Sequence, residues 1–265
     1  MLNLILLIKG FTKPNQTKPH IMKKPILLMI MAITFSGAYA QWSIDLESGI
    51  PFEGYNDVRI PNEWGTKFSF TDDFELQGPV IPIRLRLSYT FAEKNHLFVL
   101  YAPLGLNYEG AAPFDISFQQ SLFNQSQMID GFYKFNSYRL GYRRDVMKSE
   151  RWTIGVGFTA KIRDARVQLS SGNLSDKKDD LGFVPLLHVF ASREFDRWML
   201  FVDGDGLAGG PGRAFDFFLG GRINITDNLS GKAGYRILEG GADVTDVYNF
   251  TLIHFAIIGL VWDVF

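Results

Sequence analysis

The sequence holds a period of two for long stretches, and this limits what the chain can become more than any other feature. Ile81, Ile83, Leu85, Leu87, Tyr89 and Phe91 alternate with Arg84, Arg86, Ser88 and Thr90. Trp152, Ile154, Val156, Phe158, Ala160 and Ile162 alternate with Thr153, Gly155, Gly157, Thr159, Lys161 and Arg163. The same rhythm runs through Trp42–Glu47, Phe215–Ile225 and Leu229–Ile237. Successive side chains on a strand point to opposite faces, so each run is a strand with one apolar and one polar face. Strands of soluble sandwiches usually span about five or six residues. Runs of twice that length, with charge on one face, call for a larger closed sheet.

Ten strands are expected, near 42–50, 80–91, 96–108, 132–144, 151–163, 182–193, 197–207, 215–225, 229–238 and 248–264. Their connections alternate in size. Long ones (51–79, 109–131, 164–181, 208–214, 239–247) follow every odd strand, and short ones (92–95, 145–150, 194–196, 226–228) follow every even strand. The expected fold is all-β: a closed antiparallel transmembrane β-barrel of about ten strands, with short periplasmic turns and long extracellular loops. Eight or twelve strands stay open as alternatives. A soluble lipocalin-like barrel would share the period but turn its apolar face inward.

The first forty residues read as targeting sequence rather than fold. Met22-Lys23-Lys24, an apolar run from Ile26 to Phe35 and Ala38-Tyr39-Ala40 have the layout of a secretory signal peptide over 22–40, with cleavage after Ala40. Residues 1–21 read as an upstream extension or mis-assigned start, and 41–265 as the barrel. Residues 1–40 hold five of the 27 basic residues and none of the 28 acids, so the remainder carries 22 against 28, a net charge of −6. An acidic exported chain gives no basis for nucleic-acid binding. No later run approaches the 18 or more apolar residues of a membrane helix. With no cysteine, a disulfide scaffold, a thiolate metal site and a cysteine nucleophile are excluded. His96, His188 and His254 show no ligand spacing, so no metal or cofactor is expected.

Aromatic residues mark both strand ends. Trp42, Phe91, Trp152, Phe195, Trp198 and Trp262 fall at the short-turn end, and Tyr108, Phe132, Phe215, Tyr248 and Phe250 at the other. Girdles of this kind sit where rings meet lipid headgroups. Pro82, Pro103 and Pro185 lie toward the outer strand ends, where pairing can stop or bulge. The chain finishes on an amphipathic strand ending Val261-Trp262-Asp263-Val264-Phe265. This resembles the C-terminal signature of bacterial outer-membrane β-barrels, which the barrel assembly machinery reads. The resemblance implies an outer-membrane location, with lipid and that machinery as partners, and implies no activity. It departs from the pattern at Ile253, Phe255, Ile257 and Ile258, which make both faces of the strand apolar. A monomer is expected.

If the apolar faces meet lipid, the lumen receives Arg84, Arg86, Arg139, Arg143, Lys161, Arg163, Arg222, Lys232 and Arg236. It also receives Asp45, Glu47, Asp203, Asp205 and Asp216. Nine bases against five acids suggest a narrow pore or binding barrel for small anions. A salt-bridge network that fills the barrel is the competing outcome, since small barrels are usually filled by side chains. Two other readings stand beside these. Aromatic loops (Phe52, Tyr55, Trp64, Phe68, Phe70 and Phe74 in the first; Phe114, Phe118, Phe123 and Met128 in the second) could lid the mouth or dock a partner. Asp203, Asp205 and Asp216 with His254 could form an acid–histidine rim like that of ten-stranded outer-membrane proteases. Gly204-Asp205-Gly206-Leu207-Ala208-Gly209 matches a dinucleotide fingerprint, but Gly210-Pro211-Gly212 cannot begin the helix it needs. It reads instead as a flexible outer loop.

Overall fold

The computed structural model describes residues 41–264. The segments expected as an upstream extension (1–21) and a signal peptide (22–40), and terminal Phe265, lie outside the described residues. In chain order, β1 (Gln41–Arg59) is followed by β2 (Phe68–Ser69), a helical turn (Phe70–Asp73) and β3 (Glu75–Gln77). Then come β4 (Ile83–Phe91), β5 (Asn95–Ala102), β6 (Gly105–Ala111), β7 (Ile116–Phe118) and β8 (Ser121–Phe123). The long strands β9 (Met128–Lys148), β10 (Trp152–Ser171) and β11 (Leu174–Glu194) lead into β12 (Trp198–Gly209) and β13 (Gly212–Asn224). The last hairpin is β14 (Leu229–Val244) and β15 (Val247–Val264).

Each barrel strand pairs antiparallel with its sequence neighbour. β1 closes the ring by pairing β15 through Trp42–Val264 and Ile44–Trp262. β5 and β6 act as one strand interrupted at Pro103, both running along β9. This gives a closed ten-stranded antiparallel barrel, as the period-two runs predict.

The outward face carries an apolar belt that includes Leu46, Ile50, Ile83, Val99, Leu140, Phe158, Leu187, Leu219, Ile258 and Leu260, all exposed. An apolar surface this extensive has no place in water and matches the lipid-facing band of a transmembrane barrel. Trp42, Trp152, Trp198 and Trp262 lie along the edge of the belt beside the short turns, each 39–50% exposed, with Phe91 half-buried among them. The two apolar faces of β15 also have an explanation. Ile258, Leu260 and Trp262 face out, while Ile253, Phe255 and Ile257 point inward and join the buried core.

Three expected long loops are strands instead. Residues 164–181, 208–214 and 239–247 continue their hairpins to tight turns at 172–173, 210–211 and 245–246. Above the belt the outward side chains need not be apolar. Cross-strand partners such as Arg166 and Asp179 replace the alternation that marks a strand within lipid. Gly204 and Gly206 accordingly sit within β12, where the rings of Phe217 and Phe215 occupy the space their side chains would fill. Gly210, at φ +47°, makes the turn.

Residues 51–82 and 112–127 form a folded cap rather than open loops. β1 bulges between Glu53 and Tyr55, which reverses its facing. Asn56, Val58 and Ile60 then point inward above the bulge, where Asp45 and Glu47 did below it. Within 51–82, Phe68–Ser69 forms β2 against β1 and the helical turn follows, capped by Ser69 Oγ accepting from the Asp72 amide. Phe68, Phe70, Phe74, Phe118 and Phe123 pack with Leu106, Ile116, Ile129 and Tyr133 into an apolar core above the lumen. Tyr108, expected in the outer girdle, is buried there with its ring stacked on Phe70 at 4.6 Å.

Candidate functional site

Because inward residues alternate with belt residues, each polar run of the sequence delivers its charges to the same level of the lumen. There they meet. Asp216 on β13 accepts from Arg84 of β4 (2.9 Å), Arg139 of β9 (2.5 Å) and Arg236 of β14 (2.5 Å). Glu47 on β1 accepts two bonds of 2.9 Å from Arg236 Nη2 and one of 2.5 Å from Lys232. Lys232 also reaches Asp45 at 2.6 Å. Arg86 grips Asp203 of β12 through both terminal nitrogens, at 2.6 and 3.0 Å. Asp205 accepts from Arg139 at 2.6 Å and from Thr159 of β10 at 2.7 Å, and lies 2.9 Å from His188 Nδ1 on β11.

The pairs Arg84–Asp216, Arg139–Asp216, Arg139–Asp205 and Arg86–Asp203 cross the barrel, while Arg236 reaches Asp216 from the neighbouring strand. β4 and β12, or β9 and β13, are separated by several strands in either direction around the ring. The side chains of Glu47, Arg139, Asp205, Asp216 and Arg236 are 7% exposed or less. Burying single charges would be very costly, and this site manages it by pairing each of them: Asp216 takes three arginines, Glu47 takes Arg236 and Lys232, and Asp205 takes Arg139 with Thr159. Faces of phenylalanine rings provide further support for the cations. Arg86 lies over Phe98 at 4.4 Å, Arg143 over Phe190 at 4.0 Å and Lys232 over Phe218 at 5.0 Å.

The remaining lumen cations pair with acids absent from the sequence-based set. Arg143 meets Asp145 at 3.1 Å, Arg222 meets Asp263, and Arg163 meets Asp180. Asp145 and Asp180 fall in segments expected as loops, and Asp263 lies on the strand whose facing the sequence left open. The apparent excess of nine bases over five acids therefore shrinks to nine against eight. Lys161 is the cation left without an acid within 4 Å among the described residues.

Below the network, toward the short turns, a vestibule of about 210 Å³ is lined by Gln41, Ser43, Arg86, Arg143, His188 and Arg222, among others. Above it, a cavity of about 50 Å³ lies between Arg84, Arg139, Phe135 and Phe255. The cap closes the space above that. In the cap, burial pushes the Glu53 carboxyl up, opposed by the hydrogen bond that Tyr108 donates to it. On the outer hairpin, the bond from Arg166 holds the exposed Asp179 carboxyl below its usual range.

The rim of acids and histidine is not assembled. Asp203, Asp205 and Asp216 are buried in the lumen under arginines, and His254 sits on the outer wall beside Tyr235. His188, which looks isolated in the sequence, is the histidine that reaches one of these three acids, Asp205, and His96 lies 2.9 Å from Asp145. Its inward parity on β11 was the available signal, since Leu187 and Val189 on either side face out.

No protein-family model and no curated protein matches the chain. Among solved structures it is similar to the outer-membrane protease OmpT from Escherichia coli, at 8% identity and a TM-score of 0.51, covering 84% of this chain and 97% of that one. Lower scores relate it to the translocator domain of the autotransporter NalP from Neisseria meningitidis (TM-score 0.42, 11% identity, 91% and 94% covered). The attachment invasion locus protein Ail of Yersinia pestis also matches (TM-score 0.39, 13% identity, 86% and 100% covered). At such identities the likeness speaks for architecture alone: the chain has the closed-barrel fold of bacterial outer-membrane proteins.

Proposed function

We propose that the protein is an exported outer-membrane barrel closed to ion flow, which acts through the folded outer half it holds beyond the membrane. The observation that carries this reading is the convergence of Arg84, Arg139 and Arg236 on Asp216, which ties β4 and β9 to β13 across the lumen. An anion pore would need arginines free to exchange partners with a passing ion. Here they are held by fixed carboxylates and covered by an aromatic cap.

The outer half is built for more than closing a hole. β9, β10 and β11 run for 20 or 21 residues, about twice the 9–11 that cross a bilayer. Trp64, Leu122 and Met128 are exposed on the cap and strands above the belt. A folded surface carrying exposed apolar side chains suits partner contact better than transport. The reading is tested by single-channel recording of the purified protein in a planar bilayer across a salt gradient. The expected result is a silent baseline from correctly folded protein, and discrete anion-selective steps would overturn it.

A further inference from the structure

The geometry points to a second site, in the barrel wall: a lateral notch between β11 and β12 that takes the anionic head of a single-chain amphiphile from the outer leaflet. The two strands pair from Glu194–Met199 up to Leu187–Gly206 and stop there. Yet β11 continues for thirteen more residues to Leu174 and β12 for three more to Gly209. Leu187 lies opposite Phe158 on β10, and both are exposed belt residues, so the separation begins inside the apolar zone. Unpaired backbone at that depth is costly unless something covers it. Pro185, in the separated stretch, has no amide hydrogen to offer a partner.

Behind the notch lies a cavity of about 420 Å³, lined by Lys161, Arg163, Phe183, Pro185, Leu207 and Arg213, among others. Lys161 is 2% exposed, and its ammonium rests 4.6 Å from the centre of the Phe135 ring. Its charged neighbours are Arg84, Arg139, Arg163 and Asp216, and that aspartate already serves three arginines. Arg163 is held by Asp180 but leaves its Nε without a partner. Two under-satisfied cationic groups thus share one cavity whose mouth is apolar and opens beside the belt. A carboxylate or phosphate would satisfy the cations, and an attached hydrocarbon chain would lie along Phe183, Pro185 and Leu207 and cover the open edge.

This inference rests on the transmembrane reading of the barrel but not on the lumen being closed. The test is photo-crosslinking of the protein in nanodiscs with a palmitate bearing a diazirine near its carboxyl end, followed by peptide mapping. Label is expected on Phe183–Leu187 or on Leu207 and its neighbours. Unlabelled palmitate should displace it, while methyl palmitate and inorganic phosphate should not. Lys161→Met should raise half-saturation roughly tenfold, the scale of one lost charge-assisted bond. Leu207→Trp, which fills the notch without touching the lysine, should block labelling even if Lys161→Met fails to fold. Equal labelling in either folded variant, or competition by the methyl ester, would reduce the site to ordinary lipid contact and overturn the proposal. Effective competition by inorganic phosphate would make it a site for soluble anions and overturn the lateral route. A conducting barrel that still labels here would defeat the closed-lumen reading and leave this one standing.

Discussion

Replacing Asp216 by asparagine should destabilise the barrel by about 3 kcal/mol, near the lower end of the cost of breaking a buried charge pair. Arg84 and Arg139 both bond Oδ2, and Arg236 bonds Oδ1. An amide keeps the shape but turns one of those oxygens into an NH₂ group. Whichever way it flips, at least one guanidinium faces a donor. Arg139 would keep Asp205 and Arg236 would keep Glu47. With the NH₂ in place of Oδ2, Arg84 would be left with Glu47 at 3.9 Å, which makes it the most exposed to the change. The assay is urea unfolding in lipid vesicles, followed by tryptophan fluorescence. Combining Asp216→Asn with Arg84→Met should cost less than the sum of the two single changes, because the second change removes the stranded charge. A loss under about 1 kcal/mol for Asp216→Asn, or strict additivity in the pair, would refute the claim that these charges are buried and interdependent.

Other perturbations probe the belt, the cap and the outer hairpin. Ile258→Lys, at a 68% exposed belt position, should cost about 2–4 kcal/mol in vesicles if it lies near the bilayer midplane; a neutral result would count against the lipid-facing assignment. Phe70→Ala removes a fully buried ring and should cost the cap about 3–5 kcal/mol. Protease treatment of intact cells should then cut within 60–82 or 112–127, where wild type resists. Arg166→Gln should raise the Asp179 pKa toward the ordinary carboxylate value, read by carbon-detected NMR titration. In wild type that pair's contribution is present above the unfolded carboxylate pKa and is lost as pH falls through the depressed folded value. Glu53 has the opposite sign. Its raised pKa makes the cap most stable in acid, with stability lost as pH rises from the unfolded value through the folded one. Glu53→Gln should abolish that dependence in hydrogen exchange of the cap amides.

Much of the barrel was legible because lipid and lumen impose opposite demands on alternate residues. Runs such as Ile81–Phe91 and Trp152–Ile162 therefore announce both a strand and its facing. That signal ends where the lipid ends. At Arg166 and Asp179 both strand faces meet water or the cap, so the hairpin there looked like a loop. The bulge before Tyr55 was equally hidden, since nothing in Glu53-Gly54-Tyr55 says that facing reverses. Parity alone assigned the lumen arginines to the inward faces. Their meaning was not legible, because free cations and cross-bridged ones look alike in sequence. Only the register across the barrel, which brings Arg84, Arg139 and Arg236 to one aspartate, distinguishes a lining from a plug. The lateral notch was out of reach altogether, since the end of a ladder is a property of two strands. Pro185 was its one local sign.

A closed barrel requires the lumen to be sealed at the level of Asp216. Nitrogen-15 NMR of the arginine Nε–Hε groups in nanodiscs measures this directly. The Hε protons of Arg139 and Arg236, which bond Ser137 and Glu47, should give resolved signals in slow exchange with water. Exchange as fast as that of the exposed Arg151 would mean that water passes between the guanidinium groups and that the barrel is open.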